Sequence, residues 1–405
     1  MRVLMITSLT FSAVLLAIAW LWLRYAKREV SLPIWSTLEL PELAEDESPF
    51  VSIIVATGDR VHDLERCIQS VLRQDYARFE VIVVETTFND EMRKCLLELE
   101  ATTEGGLRIL RSDPAAMRCL GKPAAMQQGV EAAQGDWLLL TTAYTYHAPD
   151  LLSRAMTYAR LQGLGMLSLA PRHECRTFWE HVWQPLAFQY LAFIKPLERV
   201  GEAAAHAGWA SEAFLMVSRQ AYMKVGGHAA VDADLHEGGQ LMNRVKSLGY
   251  RVEFVRAMDL LQMRAYRHLH ELWHGWSQTL FQLLGPHPIP VAAHAVGVLA
   301  WAALPFAALI PAFSFGFWGL DLVRGWWDVV FAVSAILAVV TILQAESVVR
   351  RVHRQSHFYT ATLPLGGLCL ATAMLTGLFR EVIWRRPSRQ GIGRSDASAV
   401  GCGER

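Results

Sequence analysis

Residues 135–150 read GDWLLLTTAYTYHAPD. The run Trp137–Leu140 has the unbroken apolarity of a strand buried on both faces. A short polar turn, Thr141–Tyr146, follows it, and a helix starts near Pro149 and Asp150. A buried strand that runs into a polar turn marks the edge of an open α/β sheet at which ligands bind.

The same alternation extends in both directions. Upstream, Val51–Val55 (VSIIV), Phe79–Val84 (FEVIVV) and Leu107–Leu110 are further strands. Between them, Asp63–Gln74 places Leu64, Cys67, Ile68, Val71 and Leu72 on one helical face, and Asn89–Ala101 and Ala124–Ala133 read as helices. Downstream come a helix at Pro149–Leu161, a strand at Gly165–Leu169, and the segment AFLMVSRQAYMKVGG at Ala213–Gly227. A polar loop at His228–Gly239, a helix at Gln240–Leu248 and a last strand at Tyr250–Val255 complete the pattern. This spacing predicts an α/β domain, doubly wound around a mostly parallel sheet. Its ligand edge would be built from Ala56–Asp59, Glu85–Thr87 and Thr141–Tyr146. Thr177–Val200 is rich in aromatic residues, and three readings fit it: a face against a bilayer, the wall of a cleft, or ordinary core.

The rest of the chain has another character. Of 405 residues 53% are hydrophobic and 19% charged, and the mean hydropathy of +0.22 exceeds that of one soluble domain, so membrane segments are expected. The net charge of zero gives no argument for nucleic acid. Six cysteines without a CxxC pair argue against a disulfide framework or a cysteine metal site and fit a reducing compartment. Val3–Leu23 is long enough to cross ~30 Å of hydrocarbon. Arg24, Lys27 and Arg28 follow it, which predicts an uncleaved anchor with the α/β domain in the cytoplasm. His268–Leu284 is amphipathic, with Trp273, Trp276, Leu280 and Phe281 opposite His270, His274 and Gln278, as suits a helix at a membrane surface. Three apolar runs follow, at Val291–Trp318 (kinked by Pro305 and Pro311), Trp327–Ala345 and Phe358–Phe379. Four spans would put Arg380, Arg385, Arg386 and Arg389 on the side the positive-inside rule disfavours, and one re-entrant run would remove the conflict. The expected organisation is an anchor at 1–30, a linker at 31–49, the α/β domain at 50–262, an interfacial helix at 263–286, a membrane region at 287–382 and a disordered tail at 383–405.

Eight phrases occur in order between Phe50 and Gln282: VSIIVA, LERCIQSVLRQDY, FEVIVVE, GKPAAMQQGVEAAQGDW, APDLL, VGGHAAV, MRAYR and GWSQTLF. Together they resemble the catalytic domain of membrane-bound family 2 glycosyltransferases, nearest to the hopene-associated enzymes and the bacterial relatives of ceramide glucosyltransferase. The resemblance implies a GT-A-like fold in a bacterial inner (plasma) membrane protein. It implies transfer of a sugar from a nucleotide sugar to a lipid or polyprenyl-type acceptor at the cytoplasmic face, with Mg or Mn held by an Asp-x-Asp pair. Here the two aspartate positions are Thr142 and Tyr144, and a hydroxyl is a poor ligand for a hard cation without a carboxylate beside it. No bound metal is therefore expected.

The other implied positions are mixed. The nucleotide side falls on Ala56, Glu85 and Thr86, where the family's VVDDGS is VVETTF. Lys122 stands for the lysine near the diphosphate, the alternative being a solvated loop lysine. The general base, aligned on Leu241, falls at Glu237-Gly238, and a shifted register brings in Asp232 or Asp234. Ser211-Glu212-Ala213 replaces the acceptor-side phrase. Arg264, Arg267 and Trp276 match a gating helix, the alternative being anchors to lipid headgroups. Because acids are missing at several points, a second expectation stands beside transfer: a catalytically inactive pseudo-glycosyltransferase serving as a binding or scaffold subunit, paired with an active glycosyltransferase.

Overall fold

The computed structural model describes residues 2–31, 35, 40–41, 48–58, 60–86, 90–103, 106–112, 122–195, 200–202, 208–231, 237–317 and 325–379. Over these residues the chain divides into two compact units. One is drawn from Ile34–Glu174 and Ala192–Ala265, the other from Met1–Pro33, Cys175–Leu191 and Tyr266–Gly391. The expected tail from 383, with its arginines at 385, 386 and 389, and Arg380 lie outside the described residues.

In chain order the elements are α1 (Arg2–Ser31), β1 (Val51–Ala56), α2 (Val61–Leu72), β2 (Phe79–Glu85), α3 (Asp90–Thr102), β3 (Leu107–Arg111), α4 (Lys122–Ala132), β4 (Trp137–Thr142), β5 (Thr145–His147), α5 (Leu151–Leu161), β6 (Leu164–Ala170), β7 (Arg172–His173), α6 (Phe178–Ile194) and β8 (Leu215–Ser218). They continue with α7 (Arg219–Lys224), α8 (Glu237–Ser247), β9 (Arg251–Arg256), β10 (Leu261–Met263), α9 (Leu269–Leu284), α10 (Pro288–Ala302), α11 (Leu304–Ala307), α12 (Leu309–Phe317), α13 (Trp326–Val352) and α14 (Leu363–Leu378).

The first unit is an α/β sandwich on a seven-stranded sheet of order β3-β2-β1-β4-β8-β6-β9. Every pairing is parallel except those of β8, which runs against β4 and β6. The sheet is thus the mostly parallel, GT-A-like arrangement that the strand pattern predicts. Strand alternation divides its side chains between two cores. Ile53, Val55, Val81, Val83 and Leu139 face α2, α3 and α5 through Leu64, Ile68, Met92, Leu96, Leu151 and Met156. Ile54, Ala56, Ile82, Val84, Leu138 and Leu140 face α4, α7 and α8 through Ala125, Met126, Tyr222, Leu241 and Val245. Burial on both faces is why these strands read as unbroken apolar runs rather than alternating ones. At Gly129 a Cβ would meet Ile54 Cγ2 at 2.5 Å, so a glycine there lets α4 close onto the sheet.

A second sheet, β5-β10-β7, is not foreseen in the sequence pattern. It corrects the expected polar turn at Thr141–Tyr146: β4 continues through Thr142, and Thr145–His147 pairs antiparallel with Leu261–Met263. Buried hydrogen bonds make this possible for so polar a stretch. Thr141 Oγ1 donates to Ala213 O (2.7 Å), Thr145 Oγ1 donates to Thr142 O (2.8 Å), and His147 Nε2 lies 3.0 Å from Thr145 Oγ1. Burial depresses His147 to about 3, so the ring is neutral within the network.

The second unit is helical. Three of its helical segments are long and apolar enough to cross a membrane: Arg2–Val30, Trp326–Val352 and His357–Leu378. The first of the three expected C-terminal runs is broken. Pro288–Ala302 and Leu304–Phe313 meet at 53°, which makes this pair either one bent span or a re-entrant loop. Pro305 sits in the first turn of α11, where its missing N–H costs nothing. α1 packs on α13 through Phe11 and Phe331 (5.9 Å between centroids), and Glu29 meets His353 Nε2 at 2.9 Å. α9 lies against α6 and α14: Trp273 meets Trp183 at 5.3 Å and Trp276 meets Phe188 at 5.0 Å between centroids, while a Cβ on Gly377 would run into the Ser277 carbonyl. The aromatic stretch expected at Thr177–Val200 therefore supplies α6, much of it buried within this helical unit. Between α6 and α13, Arg350 Nε donates to Glu346 Oε1 (2.6 Å), Gln189 donates to Glu346 Oε2 (2.9 Å) and Arg350 Nη1 donates to the His181 carbonyl (3.0 Å). Both charged side chains are fully buried.

Candidate active site

The carboxyl ends of β1, β2 and β4 are brought level by their register, with Ala56 opposite both Val84 and Thr142. Glu85 and Thr142 therefore lie on the same sheet edge, one on each side of β1. The ends of β1 and β2 are tied together: Thr86 N donates to Thr57 Oγ1 (2.8 Å) and Thr86 Oγ1 donates to Thr57 O (2.5 Å). Glu85 is buried, with the Arg93 guanidinium 3.8 Å from its carboxylate. Its side chain is thus already matched by a cation of the same domain.

At the end of β4, Thr142 is 5% exposed, and its Oγ1 is buried with no hydrogen-bond partner. Two residues on, Tyr144 turns its phenol over Gly58, into the space a Cβ there would fill. The Arg60 guanidinium lies over the Tyr144 ring at 4.0 Å. Arg264 donates its backbone N–H to Tyr144 O (3.1 Å), so the segment after β10 is stitched to the same edge.

A separate group of side chains carries charge. Lys122, the first residue of α4, is not a solvated loop lysine: its ammonium donates to Glu212 Oε2 at 2.6 Å and lies 3.8 Å from Glu237 Oε1. Burial pulls the Lys122 pKa down, but the two carboxylates outweigh it and hold it above the usual lysine value. Glu237 opens α8 and is 7% exposed. Burial pushes its carboxyl up to about 7, against the pull of Lys122 and with the help of Glu212. At Gly238 a Cβ would meet the Ala210 methyl at 3.1 Å, a tight contact. His228, depressed to about 4 by burial and by Lys122, shares a hydrogen bond with the Tyr222 hydroxyl at 2.7 Å beside this group.

The structure thus gathers Ala56, Glu85, Thr86, Thr142 and Tyr144 on the three central strand ends, and gathers Lys122 with Glu237. Asp232 and Asp234 lie outside the described residues. Arg264 belongs to this unit. Arg267 and Trp276 belong to the helical one, where Arg267 N donates to Glu271 Oε2 (2.9 Å) and Trp276 is 3% exposed. Two residues of the site were missed in the sequence. Glu212 sits in a phrase that reads as a lost motif, and Arg60 lies four residues beyond β1, where the strand's register already points to the ligand edge.

Among the described residues, the donors at the strand ends do not make up a divalent-cation site. Among the described residues no three His, Cys, Asp or Glu side chains come together. Thr142 and Tyr144 offer neutral oxygens, and Mg or Mn sites of this kind are built on carboxylates.

Residues 52–226 match the family described as Glycosyl transferase family 2. No curated protein sequence matches the chain. Among solved structures, the chain is similar to the mannosyltransferase PcManGT from Pyrobaculum calidifontis, solved in complex with GDP-Man and Mn2+. The two share 18% identity over 95% of this chain and 99% of that one, with a TM-score of 0.55. At that identity the likeness shows the fold. Sequence match and fold point the same way: residues 52–226 match the family 2 glycosyl transferases, the α/β fold is GT-A-like, and the chain also has helices apolar enough to cross a membrane.

Proposed function

We propose that this chain is a membrane-bound glycosyltransferase-like protein of the bacterial inner membrane whose cytoplasmic domain binds a nucleotide sugar without a divalent cation. It would transfer the sugar to a lipid or polyprenyl-type acceptor. The observation that carries this reading is the pairing of Lys122 with Glu237, in a chain whose Asp-x-Asp positions, by the family resemblance, are Thr142 and Tyr144. Lys122 supplies positive charge for the diphosphate as it leaves. Glu237, held near 7, has the basicity of a general base that works close to neutral pH. In that step the acceptor hydroxyl gives its proton to Glu237, its oxygen bonds to the anomeric carbon, and the sugar–phosphate bond breaks with its electrons on the diphosphate.

One observation favours the non-catalytic alternative, a scaffold or binding subunit beside an active transferase. The Tyr144 phenol fills the space over Gly58, at the strand end where the family resemblance places the nucleotide. Donor turnover separates the two. Purified protein incubated with GDP- and UDP-sugars in EDTA, with and without membrane lipid, should release nucleoside diphosphate, and Glu237→Gln should abolish release while keeping donor binding. Donor binding without release in any lipid supports the scaffold reading; absence of both overturns the proposal.

A further inference from the structure

We propose that Arg60 is the fixed cation of this site, and that with Lys122 it binds a diphosphate group in the place a divalent ion would take. This rests on the nucleotide-sugar reading above for the identity of the ligand, though not for the existence of the site.

Arg60 follows β1 at the ligand edge and is held on several sides. Its Nε lies 3.2 Å from Asp63 Oδ2. Its Nη2 donates to Ala265 O (2.8 Å) and more weakly to Arg264 O (3.3 Å). Its plane is fixed over the Tyr144 ring at 4.0 Å. These contacts leave Nη1, which is buried and has no hydrogen-bond partner, on a side chain only 15% exposed. An unmet buried donor on a charged group costs at least about 1–3 kcal/mol, so a guanidinium held this firmly with one arm unmet is suited to binding an anion.

The surroundings favour the same ligand. The Thr142 hydroxyl, at the position of the first lost aspartate, is a second buried donor without a partner. Tyr144, at the second of those positions, carries Arg60 on its ring, 4.0 Å from the centroid. Where the family resemblance places two carboxylates around a metal ion, this chain has the hydroxyls of Thr142 and Tyr144. A guanidinium fork matches phosphate oxygens and a lysine serves as a point charge, so together they can neutralise a diphosphate that no metal reaches. Asp63 offsets part of the Arg60 charge, which makes its removal informative.

The ligand chemistry is a diphosphate ester, with a nucleotide or a prenyl lipid as its source. The test uses the full chain in nanodiscs, EDTA throughout, and calorimetric titration with GDP, UDP, farnesyl diphosphate and inorganic pyrophosphate. Wild type should bind, Arg60→Gln should weaken binding by about tenfold or more, Arg60→Lys should fall between, and Asp63→Asn should tighten it. The opposite signs at 60 and 63 separate ligand binding from a staple of residues 264–265, because loss of a staple would make both variants neutral or weaker, and that result overturns the proposal. Nucleoside diphosphate binding untouched by Arg60→Gln sinks the Arg60 site and keeps the nucleotide reading. Arg60-dependent binding of pyrophosphate or farnesyl diphosphate alone does the reverse. A wild type that binds none of the probes sinks both.

Discussion

Tyr144 occupies the space over Gly58: a Cβ at residue 58 would fall within its phenol. Gly58 is not among the positive-φ glycines, so alanine there meets a steric barrier and no backbone one. Gly58→Ala is expected to cost about 1–3 kcal/mol as the ring is displaced. In a Tyr144→Ala background the same change should cost little, because the competitor is gone. Thermal unfolding of the four proteins completes the cycle, and equal losses in both backgrounds would refute the contact.

Glu237 gives a pH dependence with a definite sign. Its folded value of about 7 lies above the ordinary 4.5, so the folded state holds the proton more tightly. Below 4.5 both states are protonated and no penalty exists; as pH rises from 4.5 through 7 the cost of an ionised buried carboxylate grows, reaching about 3 kcal/mol above 7. Glu237→Gln should therefore raise the melting temperature relative to wild type at pH 8 and leave it nearly unchanged at pH 4.5. A uniform shift at both pH values would show that the carboxyl is not held neutral.

The polar seam under the site should be costly to break. Thr141→Val removes a hydroxyl that donates to Ala213 O and lies 3.3 Å from His147 Nε2, leaving a buried carbonyl unmet, at about 1–3 kcal/mol. Denaturant unfolding of the α/β unit within the full chain reads this loss. Independently, His147 sits far below its usual value, so its contribution is full above 6.5 and is lost as pH falls from 6.5 toward 3.

These cases show what the sequence carries and what it does not. The seven-stranded sheet is legible because β1, β2 and β4 are buried on both faces and so are written as VSIIVA, FEVIVVE and WLLLTT. The three-stranded sheet is not, because Thr145–His147 and Leu261–Met263 are short and are held by tertiary hydrogen bonds that no periodicity records. In the site, Thr142 and Tyr144 are legible from the family resemblance, which places an Asp-x-Asp pair at the end of β4. The partnership of Lys122 with Glu212 is not, because it joins residues 90 apart in sequence. Arg60 is invisible for a similar reason: its role comes from the ring of Tyr144 and the carbonyls of Arg264 and Ala265, which only the fold brings to it.

In the helical unit, Glu346 and Arg350 form a fully buried pair. Removing one partner strands a charge, so Glu346→Gln is expected to cost about 3–5 kcal/mol, whereas Glu346→Leu with Arg350→Met should be much milder. Melting curves in detergent decide this, and a double variant as damaged as the single one would contradict it.

Restoring both acids, Thr142→Asp with Tyr144→Asp, is expected to create Mn2+ binding that titration calorimetry detects in the variant and not in wild type, since paired carboxylates are what the strand end lacks. Equal Mn2+ binding by both proteins would mean that wild type already holds a cation site.

The central claim is that diphosphate charge at this sheet edge is met by side chains and not by a metal ion. Equilibrium binding of GDP and UDP to the wild-type chain, measured in EDTA and again in excess Mg2+ or Mn2+, tests it most directly. The same affinity in both conditions and a loss of binding in Lys122→Ala are expected. Binding that appears only with the metal, or that Lys122→Ala leaves intact, would contradict it.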